Sequence, residues 1–269
     1  MTSLCLINQK GGCGKSSTCF HLAGAYAATG RRVLLVDADP QGSISQGFLG
    51  SQVVESLPAE RTLALLFDES LQFRDRSRLV LSTGFDGIDL VPANYTLARH
   101  NAPEPERTGD LQYMLSEFLS DKNYDIVLID CPPNLYACSW NAMIAATHVV
   151  IPVPPEDFGT QGIRSVHQAI ANARTLNPML RRLGHLLTRV DGRLVIHNRY
   201  AEKLRDAYGS YVLDTQVPEA AAFKVSLSGR RPVEFYDRNS KAAQSMRRLA
   251  SEIDQRVSVR HPLVATGGI

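Results

Sequence analysis

Lys10-Gly11-Gly12-Cys13-Gly14-Lys15-Ser16-Ser17 is the stretch on which the reading of this chain turns. An apolar run, residues 4–7, precedes it, and a helix-patterned stretch, 16–29, follows it. Glycines between a strand and a helix let the backbone curl until several N–H groups point at one anion. A helix starting at Ser16 adds the positive end of its dipole. Lys15 stands where an ammonium reaches the β- and γ-phosphates of a nucleotide, and the Ser16 hydroxyl stands where it ligates Mg²⁺. Lys10, Gly11, Gly12, Cys13, Gly14, Lys15, Ser16 and Ser17 are therefore the expected nucleotide contacts. The strict pattern G-x-x-x-x-G-K-[ST] asks for glycine at position 9, where this chain has Gln9, followed by Lys10. A second cation at the mouth of a phosphate cradle requires its own explanation.

Two acidic strand ends go with the loop. Residues 33–36 form an apolar strand that runs into Asp37-Ala38-Asp39-Pro40-Gln41-Gly42. Strand alternation predicts Asp37 and Asp39 on one face, near the carboxyl end and beside the loop. An acid there can hold Mg²⁺ through water or orient the attacking water. A turn role for Asp39-Pro40 is the alternative. Residues 126–129 form a second apolar strand, ending in Asp130, an acid placed to hold a water of the Mg²⁺ shell.

In these features the chain resembles the deviant Walker A family, which includes the ParA and MinD proteins and the nitrogenase iron protein. The resemblance implies that Lys10 is the signature lysine, reaching across an ATP-dependent homodimer to the partner's phosphates. It makes the Asp37–Gly42 segment switch I, with Asp39 tied to hydrolysis, and residues 131–138 switch II. The implied catalytic set is Lys10, Lys15 and Asp39, and the implied Mg²⁺ set is Ser16, Asp39 and Asp130. Leu187-Thr188-Arg189-Val190-Asp191-Gly192-Arg193 looks like the family's strand-then-loop segment, and Val217-Pro218 looks like the start of its adenine-proximal loop. Thr188 and Pro218 thereby join the expected nucleotide contacts. Tyr236-Asp237-Arg238-Asn239-Ser240-Lys241-Ala242-Ala243 resembles the family's lead into its last helix. Two departures stand out. The family often has I-P-R-N where this chain has Val217-Pro218-Glu219-Ala220, and Cys13 replaces a small aliphatic residue.

Strand-like runs at 4–7, 33–36, 88–91, 126–129, 149–153 and 185–187 alternate with helical patterns at 16–29, 110–119, 139–146, 160–177, 196–208 and 240–257. Most of the runs are apolar at every position, as in strands covered on both faces. The pattern predicts an α/β fold of the P-loop NTPase type, a doubly wound, mostly parallel sheet with helices on both faces. One domain is expected over 1–257, with a flexible tail over 258–269. Gly30 is expected to stop the first helix, Thr108 to cap the second, and Pro178 to close the fourth.

The chain has 269 residues, 44% of them hydrophobic, enough for one large core. No apolar run is long enough to span a bilayer, and the N-terminus lacks a basic leader, so a cytoplasmic protein is expected. Five cysteines, an odd number with no C-x-x-C pair, read as reduced thiols. Residues 1–180 hold 13 Lys/Arg against 18 Asp/Glu, whereas residues 181–269 hold 16 against 9. A basic C-terminal third suits an anionic partner there, or is a solvated surface. The resemblance implies a partition ATPase that binds DNA without sequence preference when ATP-bound, associates with the nucleoid, and is released by a ParB-like stimulating protein. Lys224, Arg230, Arg231, Arg247 and Arg248 are the expected DNA contacts. The loop begins at residue 10, so the short type without an N-terminal helix-turn-helix is expected. A MinD-like membrane regulator is one alternative, but Met246, Leu249, Ile253 and Val257 read as core and no membrane partner is expected. A redox or biosynthetic relative is another, with Cys131 beside switch II but the remaining cysteine spacing unsuited.

Lys15→Ala is expected to lose tight nucleotide binding, because it deletes the cation that balances two phosphates. Titration with a fluorescent ATP measures this, and a near-parental affinity would overturn the assignment.

Overall fold

A computed structural model describes residues 1–71, 75–155 and 160–259. The apolar runs form β1 (Thr2–Leu6), β2 (Val33–Asp37), β3 (Leu81–Phe85), β4 (Ile88–Val91), β5 (Ile126–Asp130), β6 (His148–Val153) and β7 (Arg181–Leu187). They make one sheet in the order β3-β4-β2-β5-β1-β6-β7. All neighbours pair parallel except β3, an antiparallel edge on β4. The fold is thus the mostly parallel α/β sheet the periodicity predicts.

Alternation along each strand sends side chains to two separate cores. Leu4 and Leu6 pack with α1 (Lys15–Ala27), α2 (Ser43–Leu49), α8 (Ala221–Ser228), α9 (Val233–Tyr236) and α10 (Lys241–Ser258). Cys5 and Ile7 face the opposite layer, built from α4 (Met114–Ser120), α5 (Ala137–Ala145), α6 (Thr160–Ala173) and α7 (Val195–Tyr208). A short α3 (Ser51–Ser56) follows α2. Both faces of the strands are therefore dry, which is why they read as continuous apolar runs. Met246, Leu249 and Ile253 of α10 lie in the first core, as their spacing implied. All five cysteines are free and buried.

Several boundaries differ from expectation for identifiable reasons. Gly30 does stop the first helix, at φ 82. Thr108 caps nothing: its hydroxyl donates to the Pro105 carbonyl at 2.6 Å, and the expected helix over 110–119 divides into a 3₁₀ turn, Gly109–Tyr113, and α4. α6 ends at Ala173, before Pro178 can act, and the Asn177 amide instead donates to the carbonyls of Met143, Ile144 and Ala146. β7 begins at Arg181, four residues before the apolar run does, because an edge strand tolerates polar side chains. β3 escaped notice because Ser82, Thr83 and Gly84 break its apolar pattern. α10 runs to Ser258, and residues 260–269 of the expected tail lie outside the described residues.

The order of strands decides where chemistry occurs. β1 sits between β5 and β6, while its crossover helix α1 leads to β2 on the far side of β5. The direction of winding reverses at β1, and the loops leaving β1, β2 and β5 converge at such a switch point. Asp37 pairs in register with Asp130, so both acids end at one level.

The helix that follows the β1 loop is locked from beneath by a neutral imidazole. His21 is fully buried on α1, its Nδ1 accepts the Val233 amide at 3.1 Å, and burial lowers its pKa from 6.5 to about 3. Above pH 6.5 the ring is neutral folded or unfolded and contributes no pH dependence. As pH falls from 6.5 towards 3, the unfolded chain takes a proton that the folded chain refuses, so stability drops. Buried acids with raised pKa values oppose this in the same range, so the test is a difference. His21→Gln, which keeps an acceptor for Val233, should lose less stability than the parent between pH 6.5 and 4, read by thermal unfolding across that range. Equal losses in the two proteins would exclude His21 as the source.

Candidate nucleotide site

Gly14 takes the left-handed conformation, φ 87, immediately before α1. A Cβ there would be strained by the backbone and would only touch Thr188, whose Oγ1 donates to the Cys13 carbonyl at 2.7 Å. The loop is thus held from outside by its carbonyl, an arrangement compatible with N–H groups turned towards an anion. Lys15 is buried, and its Nζ donates to the carbonyls of Asn8 (2.9 Å) and Lys10 (3.2 Å). The Cys13 thiol is buried 3.7 Å from that ammonium, and burial raises its pKa. Lys10 is exposed at the mouth, its amide donating to Asn8 Oδ1 at 3.0 Å. Asn8 was not singled out from the sequence. It braces the loop against β6 through Nδ2 to the Pro152 carbonyl at 2.7 Å. Its position just ahead of the glycines was the available signal.

The two strand-end acids sit differently. Asp37 is fully buried and accepts from Ser45 through both amide (2.9 Å) and hydroxyl (2.7 Å), and from the Asp39 amide at 3.2 Å. Burial pushes its pKa up while these donors resist. Asp39 lies past the end of β2, where its Oδ1 accepts from the Gln41 amide at 2.9 Å. The expected common face for the pair is therefore replaced by a turn, and Asp39 reaches the site from that turn rather than by strand alternation. The turn role weighed for Asp39-Pro40 is present.

Asp130 carries the most informative geometry. It is fully buried, and neither carboxylate oxygen makes a well-formed hydrogen bond among the described residues, although the Ser16 hydroxyl lies close by. Burial pushes its pKa well above the carboxylate range, Asp37 adds to the push, and the nearby Ser16 hydroxyl opposes it. Bare buried carboxylate oxygens are costly unless a cation or donor completes them. Hard oxygens from Asp130 and Ser16 suit Mg²⁺, which keeps several waters and is bound by one or two carboxylates together with phosphate oxygens. The donor set fits the ion.

Thr188 and Pro218 belong to one braced unit. Val190 donates to the Val217 carbonyl and Glu219 to the Val190 carbonyl, both at 3.0 Å, and Val190 bridges Pro218. The Val217–Pro218 loop is thereby coupled to Thr188 and, through it, to Cys13. A cavity of about 190 Å³ beside the loop is lined by Asn8, Lys10, Val153 and Tyr200, among others.

The basic residues are less uniform than the charge count suggests. Lys224 pairs with Glu219 at 2.7 Å, and Arg247 pairs with buried Glu234 at 2.6 Å. Arg230, Arg231 and Arg248 are all exposed, and Arg230 lays its guanidinium against Gly50 with its backbone at φ 52. Arg247 thus serves the fold by neutralising a buried acid.

A family model described as an AAA domain matches residues 1–182. The chain is 36% identical over 255 residues to the chromosome-partitioning ATPase Soj of Thermus thermophilus, covering 94% of this chain and 96% of that one. It is 33% identical over 258 residues to the chromosome partitioning protein ParA of Caulobacter vibrioides, covering 94% of each. Among solved structures, cobyrinic acid a,c-diamide synthase of Mycobacterium smegmatis with bound ADP and magnesium superposes with a TM-score of 0.76 at 29% identity, over 93% of each chain. With the loop, the strand-end acids and a similarity that runs nearly the full length in agreement, the chain belongs to the ParA/MinD family of partition ATPases.

Proposed function

We propose that the chain binds ATP and Mg²⁺ in the β1 loop, pairs with a second copy across that loop, and binds DNA without sequence preference in the paired state. A ParB-like partner then stimulates hydrolysis and releases it. The observation that carries the reading is the buried, bare Asp130 carboxylate facing Ser16 beside the caged Lys15 ammonium. An unpartnered buried carboxylate beside a hydroxyl suits a divalent cation, and the family's relatives are partition ATPases. Lys15 holds the β- and γ-phosphates, and Ser16 with Asp130 holds the ion, with Asp39 orienting water. Mg²⁺ supplies charge neutralisation between the phosphates. Gly11, Gly12, Cys13, Gly14 and Ser17 contribute backbone donors, and Thr188 with Pro218 borders the base.

Lys10 stands exposed at the rim, where a cation can act on a partner's phosphates without forming its own cradle. DNA contact falls to the basic C-terminal third. Arg231 and Arg248 lead, since Lys224 and Arg247 are held in ion pairs and Arg230 packs on Gly50. The apolar stripe of α10 is used in the core, which leaves that helix without a face for a membrane.

Lys10→Ala should bind ATP with near-parental affinity yet fail to dimerise or turn over, as read by light scattering with ATP and a phosphate-release assay. Full turnover would make Lys10 a surface residue. Asp39→Ala should dimerise with ATP but hydrolyse slowly, so that its DNA-bound state persists in a filter-binding time course; parental turnover would move the catalytic role elsewhere. Arg231→Ala/Arg248→Ala should weaken ATP-dependent binding to unrelated duplexes alike and reduce the slope of affinity against salt, with basal ATPase unchanged. Binding to anionic vesicles in place of DNA would favour a membrane regulator.

A further inference from the structure

Arg189 follows Thr188 at the end of β7 and adopts a left-handed backbone at φ 56. Among the described residues, it shares that conformation outside glycine with Arg230 alone. The side chain lies across the rim of the phosphate loop. Nη1 donates to the Gly12 carbonyl at 3.2 Å, and Nε donates to Glu219 Oε2 at 3.1 Å. Glu219 is in turn steadied by Lys224, 2.7 Å from its other oxygen, and by its own amide bond to Val190. Lys224 and Arg189 hold the Glu219 carboxyl below its ordinary pKa, so it is ionised at neutral pH.

Two consecutive donors from one loop thus hold two consecutive carbonyls of the phosphate loop, Thr188 on Cys13 and Arg189 on Gly12. Carbonyls tied outward keep the adjoining N–H groups turned inward. Arg189 also adds a positive charge at the rim, where a polyphosphate enters. An exposed ion pair of this sort contributes little to folding stability. Its geometry is better matched to ligand binding, because a planar guanidinium can hold a carboxylate and a carbonyl at once in a fixed fork.

We propose that Arg189 is a further nucleotide-positioning residue, aimed at the phosphate loop by Glu219, so that the loop bearing Pro218 and the loop bearing Lys15 are set together. The role of Glu219 is to orient Arg189. The inference rests on the nucleotide reading above.

The test measures fluorescent ATP affinity, thermal unfolding and turnover for the parent, Arg189→Ala, Arg189→Lys, Glu219→Gln and the double variant Arg189→Ala/Glu219→Gln. Arg189→Ala should weaken ATP binding about tenfold, the size of one charge-assisted hydrogen bond, with an unfolding midpoint close to the parent's. Arg189→Lys, which lacks the fork, should fall between the two. Glu219→Gln should weaken binding in the parent background and have no further effect once Arg189 is gone. Parental ATP affinity in Arg189→Ala, or additive losses in the double variant, would overturn the proposal while leaving the nucleotide reading intact. A parent that binds no ATP would overturn both.

Discussion

Asp37, Asp39 and Asp130 are drawn into one dry corner with a single buried ammonium, that of Lys15. The electrostatic cost of that gathering shapes everything near it. Ser45 is recruited to Asp37 with two donors, Gln41 to Asp39 with one, and Asp130 is left bare. A site built this way is costly on its own and eased by a divalent ion, whose charge compensates the unpartnered carboxylate. The sheet order, with β5 between β1 and β2, brings the β1 loop and both acidic strand ends to one place.

Much of this was legible before any coordinates. Lys15, Ser16 and Asp130 were readable because each follows an apolar run whose end is marked by glycine or an acid, and a parallel sheet sends all such ends to one side. The central strands were legible because both their faces are buried. Edge strand β3 was not, since Ser82, Thr83 and Gly84 need satisfy only one neighbour. The short helices α2, α3, α8 and α9 span too few turns to show a period.

Partners distant in sequence were the other blind spot. Nothing local to Asp37 announces Ser45, and nothing local to Glu234 announces Arg247. Counting charge in the C-terminal third treated Arg247 and Arg231 as equals, although one neutralises a buried acid and the other is exposed. Strand alternation also misplaced Asp39, because Asp39 lies beyond the last strand residue and turns back upon Asp37. Periodic patterns locate elements well, but they say little about the first residues after an element ends.

The placement of β1 has a consequence for synthesis. This strand is made well before its neighbours β5 and β6, which begin at Ile126 and His148, and the outer brace on its loop waits for Thr188. Contacts of such long sequence separation close late, and domains generally fold as units as the chain appears. A nascent chain made only to about residue 100 owns the glycine loop without the strands that shape it. The cradle around the glycine loop is therefore shaped only once Thr188 has been made, and its assembly is tied to the long-range closure of the sheet.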